Sequence, residues 1–421
     1  PMTCDTSAHH GRGVSFALSE GELVWHRILE EAILQGELVD VYGGARRWEE
    51  SLDPPTLIPP SRRDLARYAS RMLGVYPARG CPYRCNFCSI IKIAGHQVRS
   101  QPVETTLASL RAARSAGVRA IFFTSDNFNK YAEATELLEA MIEERIGLPF
   151  FVQCDVQVVK QPGLIELLGR AGCFQMFLGV ESFDRETLKA AQKHQNNPRA
   201  YREIVALCRE AGVATTFANI LGFPQDTEES ILDHLAALRE VGPEMASFYV
   251  LTPIPGTEQY DDFRRRGLIT ERNLDRFDAS ALTWDHPNLS NDQLQELVFH
   301  CYREFFTTID SIKKGWGAFR RAHRVARSTM IVNVLAHSLV SRYAARKGLR
   351  VFRALGESSL ELSAGVSRRT LDHVSDYLPL RRRTYDIELA PLPDNLELST
   401  HDEALNRNAK LRIIPERASA L

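Results

Sequence analysis

The stretch VYPARGCPYRCNFC, residues 75–88, joins a short apolar run to three closely spaced cysteines. The run Val75 to Ala78 has the composition of a buried strand, so the cysteines follow on the loop at its C-terminal end. Cys81, Cys85 and Cys88 have the spacing C-x3-C-x2-C. Three thiolates on one loop can hold three irons of a 4Fe-4S cube and leave the fourth iron open for another ligand. The stretch therefore predicts a strand followed by an iron-sulfur site.

Two structural alternatives stand beside this interpretation. A tetrahedral zinc site would need a fourth ligand, for which His96 is the candidate. The three residues could also be free thiols that pack in the interior. The chain has eight cysteines, and the other five are too scattered for a disulfide framework: Cys4, Cys154, Cys173, Cys208 and Cys301.

Beyond the first run, the sequence repeats a β-rich apolar segment followed by an amphipathic one. This alternation predicts parallel strands covered by helices. Six runs are expected to form strands: Val75–Ala78, Ala120–Thr124, Pro149–Cys154, Phe174–Val180, Thr215–Leu221 and Ser247–Leu251. Six units are fewer than the eight of a closed barrel, so we expect an α/β fold with a partial (β/α)6 TIM-like barrel. A doubly wound sheet is the neighbouring alternative.

The chain divides into three predicted regions. Residues 1–74 form a short N-terminal extension that ends in a Pro-rich linker, and residues 75–288 form the barrel. Residues 289–421 form a mostly helical C-terminal region, with helices expected over Asn288–Ile312 and Ala322–Arg346. The last forty or so residues are polar and basic, which is typical of an extended strap or a tail.

The composition excludes several classes of protein. The 421 residues are 44% hydrophobic and 25% charged, which are globular values. The net charge of -1 gives no global field that would favour nucleic acid. No apolar run reaches the length of a bilayer span, and the N-terminus lacks the apolar stretch of a signal peptide. We therefore expect a cytoplasmic protein with neither a nucleic-acid nor a membrane partner.

The cysteine triad, with the aromatic Phe87 before its last member, resembles the signature of the radical S-adenosylmethionine (SAM) superfamily. The resemblance implies a 4Fe-4S cluster and SAM as cofactors. In that family the open iron binds the amino and carboxylate groups of SAM, and one electron splits SAM into methionine and a 5'-deoxyadenosyl radical that abstracts hydrogen from a substrate. It also implies an electron donor such as flavodoxin or ferredoxin.

Three further segments resemble the family's SAM-binding stretches. Ser125-Asp126-Asn127 resembles the loop near the methionine amino group, although such residues after a strand are also ordinary helix caps. Glu181 and Ser182 resemble the stretch whose carboxylate binds the ribose hydroxyls. The third segment, with Asn219 and Leu221, resembles the adenine-contacting strand, although a plain strand and a Gly-Pro turn fit it about as well.

Two outer segments resemble the cobalamin-dependent branch of the superfamily. They are the turn Thr252-Pro253-Ile254-Pro255-Gly256-Thr257 and the segment that begins Glu20-Gly21-Glu22. That branch carries a cobalamin-binding region before the barrel, whereas fewer than twenty residues stand before Glu20 here. The sequence-based expectation is thus a member without the cobalamin domain.

Side chains at strand C-termini are candidates for contact with substrate. Asp155 and Tyr249 are the candidate acid-base groups, and Cys154 is the candidate hydrogen donor, although a free cysteine there more often packs in the core. Together with Asp126 and Glu181, they favour a polar, hydroxylated small molecule. The leading hypothesis is radical dehydration or another redox change of a natural-product sugar or aminoglycoside in antibiotic biosynthesis, with a downstream reductase as a possible partner.

Alternatives from the same superfamily are a methyltransferase and an epimerase. An alternative of another class is a non-catalytic iron-sulfur or zinc module, for instance one that binds RNA. Such a module would show a basic stripe with interleaved aromatic residues. The only basic run noted in the sequence, Arg381 to Arg383, lies in the tail, which disfavours this class.

Overall fold

The computed structural model describes residues 15–17, 21, 24–35, 37–39, 41–42, 61–65, 71–271, 277–348 and 410–412. A six-stranded parallel sheet lies at its centre. Its strands are β1 (Met72–Val75), β2 (Ala120–Phe123), β3 (Phe150–Cys154), β4 (Cys173–Glu181), β5 (Ala214–Leu221) and β6 (Met245–Val250).

Each strand of the sheet pairs with its neighbours in the sequence, in the order β1-β2-β3-β4-β5-β6. A doubly wound sheet would reverse this order part-way. The uninterrupted order is that of a partial (β/α)6 barrel, so the predicted fold class is confirmed. The first strand ends at Val75 rather than Ala78, because Pro77 has no N–H for the ladder. Ala78–Arg79 instead pairs antiparallel with Arg99–Ser100.

Five helices cover the outer face of the sheet. They are α1 (Val103–Ala116), α2 (Ala134–Glu143), α3 (Pro162–Ala171), α4 (Tyr201–Glu210) and α5 (Glu228–Val241). Thr227 starts α5 with a capping box, in which its side chain and that of Ser230 each accept from the other's backbone N–H. Strand residues of one parity, among them Val152, Leu178 and Phe217, pack against these helices in one core.

The strand residues of the opposite parity face the barrel interior. At the lower end, where the strands begin, Ala120, Ala214 and Met245, together with Phe174 at the register shift between β3 and β4, pack against a separate cluster of C-terminal residues. That cluster consists of Ala318, Ala322, Ala326, Met330 and Val334. The C-terminal helices therefore close the lower end of the barrel, and the upper end carries the strand C-termini.

The C-terminal region is helical, as expected, but its first helix is divided. The helices are α6 (Asn291–Phe305), α7 (Thr308–Arg321) and α8 (Arg327–Arg346). The prediction of one helix over Asn288–Ile312 was wrong because Thr307 starts a new helix: its Oγ1 accepts from the Asp310 N–H at 3.2 Å. The signal Thr307-x-x-Asp310 is visible in the sequence.

Shorter elements surround the barrel. The helices are Trp25–Glu30, Arg62–Leu65, Ile90–Ile93, Arg185–Ala190 and Glu258–Arg265; the strands are Phe16–Ala17, Glu37–Val39, Val41–Tyr42 and Lys410–Arg412. Lys410–Arg412 pairs antiparallel with Glu37–Val39. The rest of the predicted polar tail and Glu20 lie outside the described residues. No helix in the described ranges is long and apolar enough to cross a bilayer.

Candidate functional site

The three cysteines lie on the loop that crosses the upper end of the barrel. Cys85 is buried, and Cys81 and Cys88 are half-buried. Gly80 begins the loop with φ 102°, and a Cβ atom there would lie 2.1 Å from the Gln97 carbonyl oxygen. No other residue fits this turn without displacing the backbone. The Cys81 N–H then donates to the Gly95 carbonyl at 3.1 Å, which closes the loop.

Three consecutive side chains after β2 hold the start of this loop. The Ala78 N–H donates to Ser125 Oγ at 3.0 Å, and the Gly80 N–H donates to Asp126 Oδ2 at 3.3 Å. Asn127 Nδ2 donates to Cys81 Sγ at 3.1 Å. Burial raises the pKa of Asp126, and the Gly80 N–H opposes that rise. These residues connect β2 to the cysteine loop, and their predicted role in SAM binding stays a prediction.

A buried ion pair lies beside the thiols. Glu181 ends β4 with φ 61°, and its Oε1 accepts from Lys193 Nζ at 2.7 Å. Burial lowers the pKa of Lys193, but the charge of Glu181, the thiolate forms of Cys85 and Cys88 and the hydrogen bond to Glu181 outweigh this effect and raise it overall. A Cβ atom on Gly179 would lie 2.6 Å from Glu181 Oε1, so this glycine leaves room for the pair.

Lys193 belongs to a loop, residues 192–197, that follows the short helix Arg185–Ala190. Gln195 Nε2 donates to Cys85 Sγ at 3.6 Å. Asn196 Nδ2 donates to the carbonyls of Gly179 and Val180 at 2.9 and 2.8 Å, which fixes the loop on the end of β4. The loop therefore places one cation and one amide against the cysteines.

The electrostatics of the three thiols suit an iron-sulfur group. Burial raises the pKa of Cys88 to about 12, and the neighbouring Cys85 and Cys81 raise it further. Burial also raises the pKa of Cys81. Burial thus favours the protonated form of Cys81 and Cys88, whereas metal ligation requires thiolates. Lys193, Asn127 and Gln195 supply a charge and N–H donors for anionic sulfur, so the residues present fit a cluster.

A single-ion metal centre has no counterpart in the described part of the chain: no group of three or more His, Cys, Asp or Glu side chains there could hold one metal ion. His96 is exposed.

Asp155 and Tyr249 both lie near this site. Asp155 is buried; its Oδ1 accepts from the Gln157 N–H at 2.7 Å, and its Oδ2 lies 3.5 Å from Lys130 Nζ. Burial and then the charge of Asp155 raise the pKa of Tyr83 on the cysteine loop. Burial raises the pKa of Tyr249 to about 12, Ser247 opposes this rise, and the charge of Glu181 adds to it. Tyr249 therefore faces the barrel interior near Glu181.

Three of the predicted residues face away from the site. Cys154 and Leu221 belong to the core between sheet and helices, and Cys154 is only 3% exposed. Asn219 is fully buried on the same face, where its Oδ1 lies 3.0 Å from His234 Nε2 of α5. Strand alternation explains this result, because these residues have the parity of the core-facing strand positions. The expectation that Cys154 lies ready to donate hydrogen is thus corrected.

Ile220 is the residue of this segment that faces the site. It packs near Phe87 in a small apolar cluster with Phe223 and Leu251. The same alternation would have identified it from the sequence. Phe87 lies 6.4 Å from the Phe223 ring, and Lys193 Nζ lies 5.8 Å above Phe87. Ser182, by contrast, has a turn-forming role: its Oγ accepts from the Asp184 N–H at 3.0 Å.

The family model of the radical SAM superfamily matches residues 75–238. These residues are a radical SAM domain. The match runs from the last residue of β1 through most of α5 and includes the cysteine loop, the Ser125–Asn127 segment and the Glu181–Lys193 pair. The family uses a 4Fe-4S cluster and SAM, in agreement with the predicted cofactors.

Two curated relatives are methyltransferases by name. The bacteriochlorophyllide d C-12(1)-methyltransferase of Chlorobaculum tepidum is 25% identical over 72% of this chain and 66% of its own. The hopanoid C-2 methylase of Rhodopseudomonas palustris is 29% identical over 54% of this chain and 45% of its own. The radical SAM chain thus spans about half to two thirds of the length of these relatives.

A solved structure has the same fold. The cobalamin-dependent SAM radical enzyme OxsB with aqua-cobalamin bound aligns with 91% of this chain and 62% of its own, with a TM-score of 0.55 and 14% identity. At this identity the likeness concerns the fold alone. The curated relatives are mostly methyltransferases by name rather than dehydratases.

Proposed function

We propose that this radical SAM domain serves methyl transfer to an apolar, polycyclic small molecule. The observation that carries the proposal is the inner wall of the barrel, where Phe122, Phe151 and Phe177 are half-buried. The Phe122 and Phe151 ring centroids lie 4.7 Å apart, and those of Phe151 and Phe177 lie 6.4 Å apart. Such a wall favours flat apolar ligands, because aromatic rings offer large apolar area and stacking geometry.

The polar residues that had favoured a sugar are engaged elsewhere in the site. Asp126 accepts from the Gly80 N–H, Asp155 caps the turn at Gln157, and Glu181 pairs with Lys193. These carboxylates keep further acceptor capacity, but a substrate sugar would have to share it with the partners already bound. The names of the curated relatives, which give a bacteriochlorophyllide and a hopanoid as the compounds methylated, support an apolar substrate.

The residues of this chain have separate tasks. Cys81, Cys85 and Cys88 would ligate the cluster, and Lys193 would offer a positive charge to the SAM carboxylate. Glu181 offers its carboxylate to ribose hydroxyls, while Phe87 and Ile220 shield the site from water. When bound, the cluster and SAM together supply one electron and a 5'-deoxyadenosyl radical.

The proposed reaction exchanges one substrate hydrogen for a methyl group. The substrate C–H bond breaks, and the hydrogen atom leaves in 5'-deoxyadenosine. A methylcorrinoid, supplied as a co-reactant, would give its methyl group to the substrate radical and would keep one electron of the broken carbon–cobalt bond. We assign no corrinoid-binding residue in the described ranges, so the methylcorrinoid is added as a reactant in the test.

The test is an anaerobic assay of the reconstituted protein with SAM, a chemical reductant and methylcobalamin. Ring-deuterated polycyclic lipids and tetrapyrroles are compared with deuterated aminosugars. The proposal predicts deuterium in 5'-deoxyadenosine and a methylated product with an apolar substrate only. Deuterium transfer from an aminosugar, with loss of water, would instead support the sugar dehydration predicted from sequence, with Tyr249 beside Glu181 as its acid-base group.

One variant distinguishes the role of the aromatic wall in substrate binding from the role of the cofactor site. Phe151→Ala removes the central ring of the wall and should lower kcat/KM for the apolar substrate at least tenfold. SAM cleavage without substrate should remain, because Phe151 contacts none of the cysteines. The matched control is Phe299→Ala, which removes a buried ring in α6 outside the barrel interior.

A further inference from the structure

A row of large apolar side chains is exposed along α7. Ile309, Ile312, Trp316 and Phe319 are 67%, 62%, 62% and 43% exposed. Their spacing of three, four and three residues places them on one side of the helix. Trp316 and Phe319 stack with ring centroids 5.6 Å apart. We name these four residues the α7 apolar face.

The other side of α7 is already occupied by the protein. Ser311, Gly315 and Ala318 are buried there. A Cβ atom on Gly315 would lie 2.6 Å from Leu335 of α8, so the two helices are in close contact. At the end of the helix pair, a Cβ atom on Gly172 would lie 2.8 Å from Val325, which seats this end on the lower loops of the barrel. The α7 apolar face therefore points away from the fold.

The same helix pair has a strong positive charge. Between residues 308 and 347 the sequence has nine lysines and arginines and one carboxylate, Asp310, although the whole chain has a net charge of -1. Lys313 and Arg320 are exposed and alternate with the residues of the α7 apolar face. On α8, Val332, Leu339 and Tyr343 add apolar side chains that are 66%, 58% and 60% exposed.

We propose that the α7 apolar face docks on an anionic lipid surface. A helix with Trp, Phe and Ile on one side and Lys and Arg beside them lies in the membrane interface, with its apolar side chains among the acyl chains and its cations at the headgroups. Each Lys or Arg near an anionic leaflet contributes about 1 kcal/mol of attraction. This inference goes beyond methyl transfer and stands whether or not that reaction is found.

Two other occupants fit less well. A symmetric dimer through this face would bring the same basic patch of each copy together, which is unfavourable. An acidic electron-donor protein on this face would dock at the lower end of the barrel, too far from the cysteine loop for electron transfer to it. The strand β4 has 9 residues and spans about 30 Å, and the cysteine loop lies beyond its far end.

Vesicle flotation of the full chain tests this inference. Vesicles of phosphatidylcholine with about a third phosphatidylglycerol are compared with vesicles of phosphatidylcholine alone. We expect binding to the anionic vesicles, at least tenfold weaker binding in high salt, and a blue shift of tryptophan fluorescence. The double variant Trp316→Ala/Phe319→Ala and the double variant Lys313→Glu/Arg320→Glu should each lower binding at least tenfold.

Matched controls replace similar side chains elsewhere. Trp25→Ala removes a tryptophan that is 57% exposed outside the helix pair, and Arg202→Glu inverts an exposed charge on α4. Both should bind vesicles like the original chain, and all variants should keep its thermal midpoint and iron content. The inference is overturned if the original chain does not float with anionic vesicles, or if the α7 variants bind as well as the controls. It is also overturned if size-exclusion chromatography shows a dimer that Trp316→Ala/Phe319→Ala dissociates.

Discussion

Two buried glutamates occupy opposite ends of the barrel and show how the same side chain serves different tasks. Glu244, just before β6 at the lower end, has contacts to both carboxylate oxygens. Its Oε1 accepts from Arg209 Nε at 2.7 Å and lies 3.6 Å from Arg321, and its Oε2 accepts from the N–H and hydroxyl of Thr215 at 3.0 and 2.8 Å. Among the described residues, only Lys193 donates to Glu181 at the upper end.

The difference between the two glutamates follows from where each one lies relative to its strand. Glu244 precedes a strand and connects α4, β5 and α7, so its saturated hydrogen bonds contribute to stability. Glu181 stands in a left-handed conformation at a strand end, where a non-glycine residue costs energy. A carboxylate with spare acceptor capacity, held in a strained backbone among cysteines, is suited to bind a ligand.

Removing the lower carboxylate should have the largest effect on stability. Glu244→Ala removes the carboxylate that pairs with Arg209 and Arg321 and leaves the Thr215 N–H without its acceptor, so the free energy of unfolding should fall by about 3 kcal/mol. Urea unfolding measures this change. The control is Glu240→Ala, which removes an exposed ion pair with Arg202 and should lower the free energy of unfolding by less than about 1 kcal/mol. Equal losses in the two variants would contradict the structural role of Glu244.

The pH dependence of stability tests the packing between β5 and α5, where Asn219 contacts His234. Burial lowers the pKa of His234 from 6.5 to about 4, so the folded chain keeps this ring neutral. Between pH 6.5 and 4, His234 binds a proton in the unfolded chain but not in the folded chain. The free energy of unfolding should therefore decrease by up to about 3 kcal/mol as the pH falls through this window.

His234→Gln should remove this slope, whereas His323→Gln, at an exposed position, should keep it. Urea unfolding at a series of pH values measures both variants. An unchanged slope in His234→Gln would show that another group titrates there. It would also weaken the placement of Asn219 in a structural network with His234.

The upper carboxylate should affect ligand binding more than stability. Glu181→Gln keeps an acceptor for Lys193 but removes the charge, so SAM affinity should fall by a factor of about 10 to 100. Anaerobic calorimetry with SAM measures the loss, and Glu186→Gln on an exposed helix is the matched control. If Glu181→Gln lowered stability as much as Glu244→Ala and left SAM binding intact, the contrast between the two ends would be lost.

The smallest expected effect concerns the segment that holds the cysteine loop. Ser125→Ala leaves the buried Ala78 N–H without its acceptor and should cost about 1 kcal/mol of stability. The loop should also lose order, so iron retention after gel filtration should decrease. Ser115→Ala, which removes an exposed hydroxyl of α1, should change neither quantity.

Much of this architecture could be predicted from the sequence, because the strands are short apolar runs and parallel strands bring their C-terminal ends to one edge. The cysteine loop and Glu181 were placed correctly by this rule. The sides of Asn219 and Leu221 were missed although strand alternation determines them, because these two residues were chosen for their resemblance to the family and not for their position in the alternation. The Ala78–Ser125 contact joins residues 47 positions apart, and no local pattern reveals such a pair.

The α7 apolar face could not be identified from the sequence for a similar reason. The pattern of Ile309, Ile312, Trp316 and Phe319 is that of any amphipathic helix, and such residues normally face a core. Only the packing of Gly315 and Ala318 against the fold shows that the apolar side is the exposed one. Burial, rather than periodicity, distinguishes the two cases.

The central claim is that Cys81, Cys85 and Cys88 together hold a cluster that cleaves SAM. The most direct measurement is the formation of 5'-deoxyadenosine by the anaerobically reconstituted chain, with iron content determined on the same sample. We predict about four irons and nucleoside formation for the original chain and for Cys301→Ala, which changes a buried thiol in α6. Cys85→Ala should lose at least a hundredfold in nucleoside formation, and undiminished formation in that variant would contradict the account.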